Sequence, residues 1–127
     1  MQLNHPDIQE VLVTADQIQE RVAELATEIS EFYKDKEVLL LGILKGAVPF
    51  MADISRALSI PVQQDWMAVS SYGSGTISSG VVRILKDLDA DIKDRHVLIV
   101  EDIIDSGLTL SWLTSNLKAR GAASVEI

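Results

Sequence analysis

Between Val38 and Leu44 the chain is apolar without interruption, and this run constrains the fold more than any other feature of the sequence. A strand with one wet face alternates apolar and polar residues. An unbroken run needs cover on both faces, as at the centre of a parallel sheet. Val97 to Val100 is a second, shorter run of the same kind. Parallel neighbours require crossover connections, usually helices, and the intervening segments supply them. Thr14 and Gln17 fit a capping box, ahead of a stretch in which Ile18, Val22, Leu25, Ile29 and Phe32 recur on one helical face. Glu20, Glu24, Glu28 and Glu31 fall mostly on the other face and read as a solvated surface. Phe50 to Leu58 predicts a second helix. Leu108 to Ala119 predicts a third, with Leu110, Leu113 and Leu117 at helical spacing and Gly121 as its stop. Further strands are expected at Ile8 to Val13 (peripheral), Ile60 to Val69, Val81 to Leu85 and Ser124 to Ile127. The expected fold class is α/β: a largely parallel central sheet flanked by helices, in a single domain over residues 1–127.

Composition narrows the chemistry. The chain has no cysteine and only two histidines, His5 and His96, which removes thiol chemistry and most zinc sites. The net charge is −8 with no basic stripe, so no nucleic-acid partner is expected. No apolar run approaches the ~20 residues of a membrane span, and the N-terminus has no signal-peptide pattern. A cytoplasmic protein with no membrane partner is the expectation.

Open parallel sheets bind ligands at the carboxyl ends of their strands, and two strand ends here carry unusual residues. One run leads into Lys45 and Gly46. The other leads into Glu101, Asp102, Ile103, Ile104, Asp105, Ser106, Gly107, Leu108 and Thr109. Adjacent carboxylates repel, and a divalent cation or sugar hydroxyls would relieve that repulsion. From Asp105 to Thr109 the chain turns into a helix, and its backbone N–H groups, the Ser106 and Thr109 hydroxyls and the helix dipole suit a phosphate. Acids for metal and ribose thus lie beside a phosphate cradle. The Ser70 to Gly80 stretch, with three glycines and five serines, reads as a mobile loop.

The segment from Val97 to Thr109 resembles the phosphoribosyl-pyrophosphate-binding motif of the type I phosphoribosyltransferases. The likeness is to the hypoxanthine-guanine branch, because position 105 is Asp where adenine- and orotate-specific relatives typically have Ala or Thr. Leu44-Lys45-Gly46 is similar to the family's pyrophosphate loop, and Ser71-Tyr72 resembles its mobile active-site loop. The resemblance runs from about Val11 to the last residue.

This resemblance implies a 6-oxopurine phosphoribosyltransferase of purine salvage, using Mg²⁺, with phosphoribosyl pyrophosphate, a purine base and pyrophosphate as its small-molecule partners. It implies that Asp105 is the catalytic acid/base group and that Glu101 and Asp102 hold the ribose hydroxyls and help position the metal. It further implies that Asp105, Ser106, Gly107, Leu108 and Thr109 bind the 5′-phosphate. Lys45 and Gly46 would bind pyrophosphate, with a cis peptide just before the lysine, and the loop bearing Ser71 and Tyr72 would close the site. The family generally forms dimers or tetramers, so a homo-oligomer is expected. Full-length relatives continue beyond this chain into a base-binding segment that it is expected to lack. The alternative is a truncated or non-catalytic nucleotide-binding regulator on the same fold.

Overall fold

The computed structural model describes residues 5–72, 81–104 and 107–127. Its elements are α1 (Ala15–Phe32), β1 (Val38–Ile43), α2 (Val48–Ala57), β2 (Val62–Tyr72), β3 (Val81–Lys86), β4 (His96–Val100), α3 (Leu108–Ala119) and β5 (Ser124–Glu126). The sheet order is β3-β2-β1-β4-β5. β1 runs parallel to both β2 and β4, β5 is parallel to β4, and β3 alone is antiparallel. The α/β class with a largely parallel sheet is as the sequence predicts.

The central run is buried at every position from Val38 to Ile43, and its two faces go to different layers. Val38 and Leu40 join Val22, Ala26, Met51 and Ile54 beneath α1 and α2. Leu39, Leu41 and Ile43 join Leu110, Leu113 and Leu117 of α3 on the opposite side. The run is unbroken because helices cover it from both sides.

The Thr14 capping box forms in full: Gln17 N donates to Thr14 Oγ1 at 3.1 Å, and Thr14 N donates to Gln17 Oε1 at 2.8 Å. The helical face behind it is narrower than the apolar spacing predicts. Val22 and Ala26 are buried, whereas Ile18 and Phe32 at the two ends are 50% and 62% exposed. The second helix begins at Val48, before Phe50, because Pro49 lies in its first turn, where a missing N–H costs nothing. α3 spans Leu108–Ala119 as expected, and Gly121 follows at φ +90.

Two expectations are corrected. Ile8 to Val13 forms bends and irregular chain and no strand; it pairs with neither sheet edge, and Leu12 is 81% exposed. β2 runs on to Tyr72, because β3 pairs with Ser70, Ser71 and Tyr72 through Arg83, Val82 and Val81. Those three residues therefore belong to a strand, and residues 73–80 of the expected loop lie outside the described residues.

The charged connection before β4 is pinned by a residue that the sequence does not advertise. Asp65, 4% exposed, accepts hydrogen bonds from Trp66 N at 2.8 Å, Asp89 N at 3.0 Å and Ala90 N at 2.9 Å. Three backbone donors compensate the burial of one carboxylate. Arg120 ties the same connection to the end of α3 through a bidentate pair with Asp87, at 2.9 and 3.0 Å.

Candidate active site

β1 is the point where the sheet's chain order reverses. Its next strand, β2, lies on one side, while β4 and β5 lie on the other. Helices leave the sheet in opposite directions there and open a crevice above the strand ends. The register sets Gly42 of β1 beside Val100 of β4, so the two unusual loops leave the sheet as neighbours.

From β1 the chain passes through a cis peptide between Leu44 and Lys45, as the resemblance implies. It then enters a turn closed by Ala47 N to Ile43 O at 3.3 Å and Val48 N to Lys45 O at 3.1 Å. Lys45 and Gly46 are exposed at this turn. From β4 the chain passes to Glu101, half-buried, and Asp102, exposed. The loops touch through Gly46 and Asp102. A Cβ added at Gly46 would meet the Asp102 carboxyl carbon at 2.8 Å, and its Oδ2 more closely still. Only glycine lets the carboxylate lie against this backbone.

The two acids are held by their own backbone. Glu101 Oε1 accepts from Asp102 N at 2.9 Å, and Asp102 Oδ1 accepts from Ile103 N at 2.8 Å. Burial pushes the Glu101 carboxyl above its ordinary value, and the neighbouring Asp102 adds to the shift. The hydrogen bond with Glu101, followed by the Ile103 N–H, holds Asp102 below its ordinary value. The pair splits in the way that two close carboxyls do when one keeps the proton more readily. Among the described residues no group of three or more potential metal-ligating side chains occurs. The two carboxylates therefore fit a hard divalent cation only as partial donors, the other oxygens coming from a ligand such as a diphosphate.

On the far side of the loop, Gly107 caps α3 at φ +80, a conformation suited to glycine, and its carbonyl accepts from Ser111 N at 2.8 Å. Leu108 and Thr109 form the first turn of α3, Leu108 exposed and Thr109 half-buried. Asp105 and Ser106 lie outside the described residues. Ser71 and Tyr72 end β2, the strand on the other side of β1. Of the expected residues, the structure thus brings Lys45, Gly46, Glu101 and Asp102 together at one crevice, with Gly107 a short loop beyond.

Ile103 and Ile104, beside the acids, were given no role in the sequence reading. They are 74% and 62% exposed, a pair of large apolar side chains presented at a polar site. The signal was present in the sequence, as an apolar pair between carboxylates in a loop, where a strand reading does not apply.

Residues 12–127 match the phosphoribosyl transferase domain family. Hypoxanthine-guanine phosphoribosyltransferase of Mycobacterium avium is 58% identical, the match covering 95% of this chain and 63% of that protein. The enzyme of the same name from Bacillus subtilis is 49% identical, with coverage of 95% and 67%. A crystal structure of hypoxanthine phosphoribosyltransferase from Staphylococcus aureus superposes with a TM-score of 0.94 at 40% identity, covering 99% of this chain and 70% of that one. The chain spans about 63% of the length of the mycobacterial relatives it matches. With the strand order, the crevice at β1 and the Gly46–Asp102 contact, these matches establish that the chain belongs to the phosphoribosyl transferase domain family, in its hypoxanthine-guanine branch.

Proposed function

We propose that the chain carries the phosphoribosyl-handling part of a 6-oxopurine phosphoribosyltransferase, which joins hypoxanthine or guanine to phosphoribosyl pyrophosphate and releases pyrophosphate. The observation that carries this reading is the meeting of the Lys45–Gly46 turn with the Glu101–Asp102 carboxylates at the strand-order reversal. One loop offers a cation and a bare backbone to a leaving diphosphate. The other offers two carboxylates to ribose hydroxyls.

In this reaction the bond from the ribose carbon to pyrophosphate breaks as a purine nitrogen bonds to that carbon, and positive charge builds on the sugar. Lys45 steadies the departing diphosphate, and Gly46 lets it approach the main chain. Glu101 and Asp102 orient the ribose. Glu101 and Asp102 would help hold a Mg²⁺ ion together with the diphosphate, and the chemistry such an ion would supply is neutralisation of the leaving charge. The turn from Asp105 to Thr109, with Ser106, Gly107 and Leu108, receives the 5′-phosphate at the start of α3. Asp105 takes the proton that the purine sheds. Ile103 and Ile104 offer apolar surface to the base. The segment from Ser71 and Tyr72 onward closes over the crevice and keeps water from the sugar. A dimer or tetramer acting in the cytoplasm belongs to the same proposal, supported by the family's general assembly.

The test is conversion of hypoxanthine and phosphoribosyl pyrophosphate to the nucleoside monophosphate, with Asp105→Asn as the diagnostic variant. It should retain phosphoribosyl pyrophosphate binding and lose at least about tenfold in turnover, the low end of what a positioned base contributes. Unchanged turnover overturns the role of Asp105. The share of relatives' length that the chain covers, about 63%, favours one second reading: binding of the sugar phosphate without turnover. Saturable binding of phosphoribosyl pyrophosphate with no product would select it.

A further inference from the structure

The turn that carries Lys45 and Gly46 has two arms, β1 before it and α2 after it. Both residues are exposed, so the turn is shaped from beneath, by what packs under its arms. A side chain from a third element lies there. Trp66 of β2 stands in register with Gly42 of β1, just ahead of the turn. A Cβ added at Gly42 would meet the Trp66 ring carbon Cε3 at 2.6 Å, its Cζ3 more closely still, and the Met51 methyl of α2 at 2.9 Å. The indole thus takes the space of the missing side chain, with β1 on one side and α2 on the other. Phe50 and Ile54 of α2 belong to the same apolar layer.

Trp66 is itself held from outside its strand. β3 pairs with β2 only from Ala68 onward, so the ladder stops short of Trp66 and side chains continue it. Trp66 N donates to Asp65 Oδ1 at 2.8 Å, and Trp66 O accepts from Lys86 Nζ at 3.0 Å. Both polar atoms of this main chain are therefore in charge-assisted bonds. Lys86 Nζ also donates to Asp87 O at 2.8 Å, which ties the end of β3 to the same point. One residue further along β2, Met67 O accepts from Leu44 N at 2.9 Å and grips the chain as it leaves β1.

In a close-packed interior such a wedge acts as a spacer. A smaller side chain leaves a void, and the surrounding elements relax partway into it. Here α2 would settle towards β1 and carry Lys45 and Gly46 with it. A shift of about an ångström in a positioned group can cost up to about 100-fold.

We propose that Trp66 is a positioning residue for the diphosphate turn: its indole sets the spacing of β1 and α2 and hence the place of Lys45 and Gly46. This role rests on the turn's reading as a diphosphate site, and adds to it a residue that acts through the turn. Lys86 contributes by holding the Trp66 carbonyl.

The test is calorimetric titration of the whole chain with magnesium pyrophosphate and, separately, with ribose 5-phosphate. Pyrophosphate meets the Lys45–Gly46 turn. Ribose 5-phosphate meets the loop after β4, where Asp102 keeps its own bond from Ile103 N. Trp66→Leu should weaken pyrophosphate by about tenfold and ribose 5-phosphate by less than about twofold, whereas a general loss of structure would weaken both alike. Trp66→Phe, which keeps an aromatic ring beside Gly42, should bind pyrophosphate more tightly than Trp66→Leu does. Lys86→Met leaves the core whole should Trp66→Leu fail to fold. It should weaken pyrophosphate by about threefold, the low end for one hydrogen bond, and again spare ribose 5-phosphate. Equal losses for the two ligands, no loss for pyrophosphate, or the reverse order of the Phe and Leu variants overturns the role of Trp66. Pyrophosphate affinity that is indifferent to Lys45→Ala, or absent from the unaltered chain, overturns the diphosphate reading of the turn and the role of Trp66 with it.

Discussion

Gly46 shows how much one missing side chain can carry. Its backbone is the surface on which the Asp102 carboxylate rests, so Gly46→Ala should displace that carboxylate while hardly disturbing an exposed turn. Misplacing a positioning group by about an ångström can cost up to about 100-fold. The expected outcome is a fall of about 10- to 100-fold in kcat/KM for phosphoribosyl pyrophosphate, with an unchanged melting curve. Equal kinetics would show that Asp102 does not need this seat. Glu101→Gln combined with Asp102→Asn should remove most of the magnesium dependence of phosphoribosyl pyrophosphate binding, read by calorimetry with and without the ion; unchanged dependence would take the metal away from these acids. Tyr33 makes a prediction about alkali. Burial raises its phenol from 10.0 to about 12, so the folded chain holds a proton that the unfolded chain releases earlier. Its contribution to stability is whole below the ordinary value of 10.0 and is lost as pH rises towards about 12. Denaturation of the chain across that range should show the loss, and Tyr33→Phe should abolish this component.

Among the elements, legibility followed the origin of each one's stability. β1 and α3 were readable because their patterns are local: both faces of Val38–Ile43 are covered, and Leu110, Leu113 and Leu117 repeat at helical spacing. Ile8 to Val13 misled because apolar residues announce a willingness to pair and say nothing of a partner. The final residues of β2 were missed for the converse reason. Ser70, Ser71 and Tyr72 owe their strand to β3 across the hairpin, a tertiary cause that overrides serine's preference for turns. Asp65 was illegible because a carboxylate after Gln63 and Gln64 reads as a wet face, and only the return of residues 89–90 encloses it. At the site, the motif from Glu101 to Thr109 was readable as a string, whereas its contact with Gly46 depends on two strands meeting. Asp65 supplies the test at this scale. Asp65→Ala strands the Trp66, Asp89 and Ala90 N–H groups that its carboxylate holds, and it should cost on the order of 2–4 kcal/mol in thermal or urea unfolding. A loss below about 0.5 kcal/mol, the size of an ordinary surface change, would mean that water satisfies them.

For the whole molecule, the strand order has a consequence in time. Val38 pairs with Val62 across the single crossover through α2, but with His96 only once the β2–β3 hairpin has been traversed. Long loops close late, because their entropy is lost before their contacts form. The half holding Lys45 and Gly46 should therefore assemble first, and the half holding Glu101 and Asp102 should dock onto it afterwards. In pulse-labelled hydrogen exchange during refolding, the amides of β1 and β2 should gain protection before those of β4 and β5. Simultaneous protection would count against this order. The crevice lies on the seam between the early and late halves, so no partly folded chain contains it. A ligand that needs both loops binds only the finished molecule. Phosphoribosyl pyrophosphate at about 100 times its dissociation constant would then hold the seam shut by about 2.7 kcal/mol, and a substrate would double as the clasp of the fold.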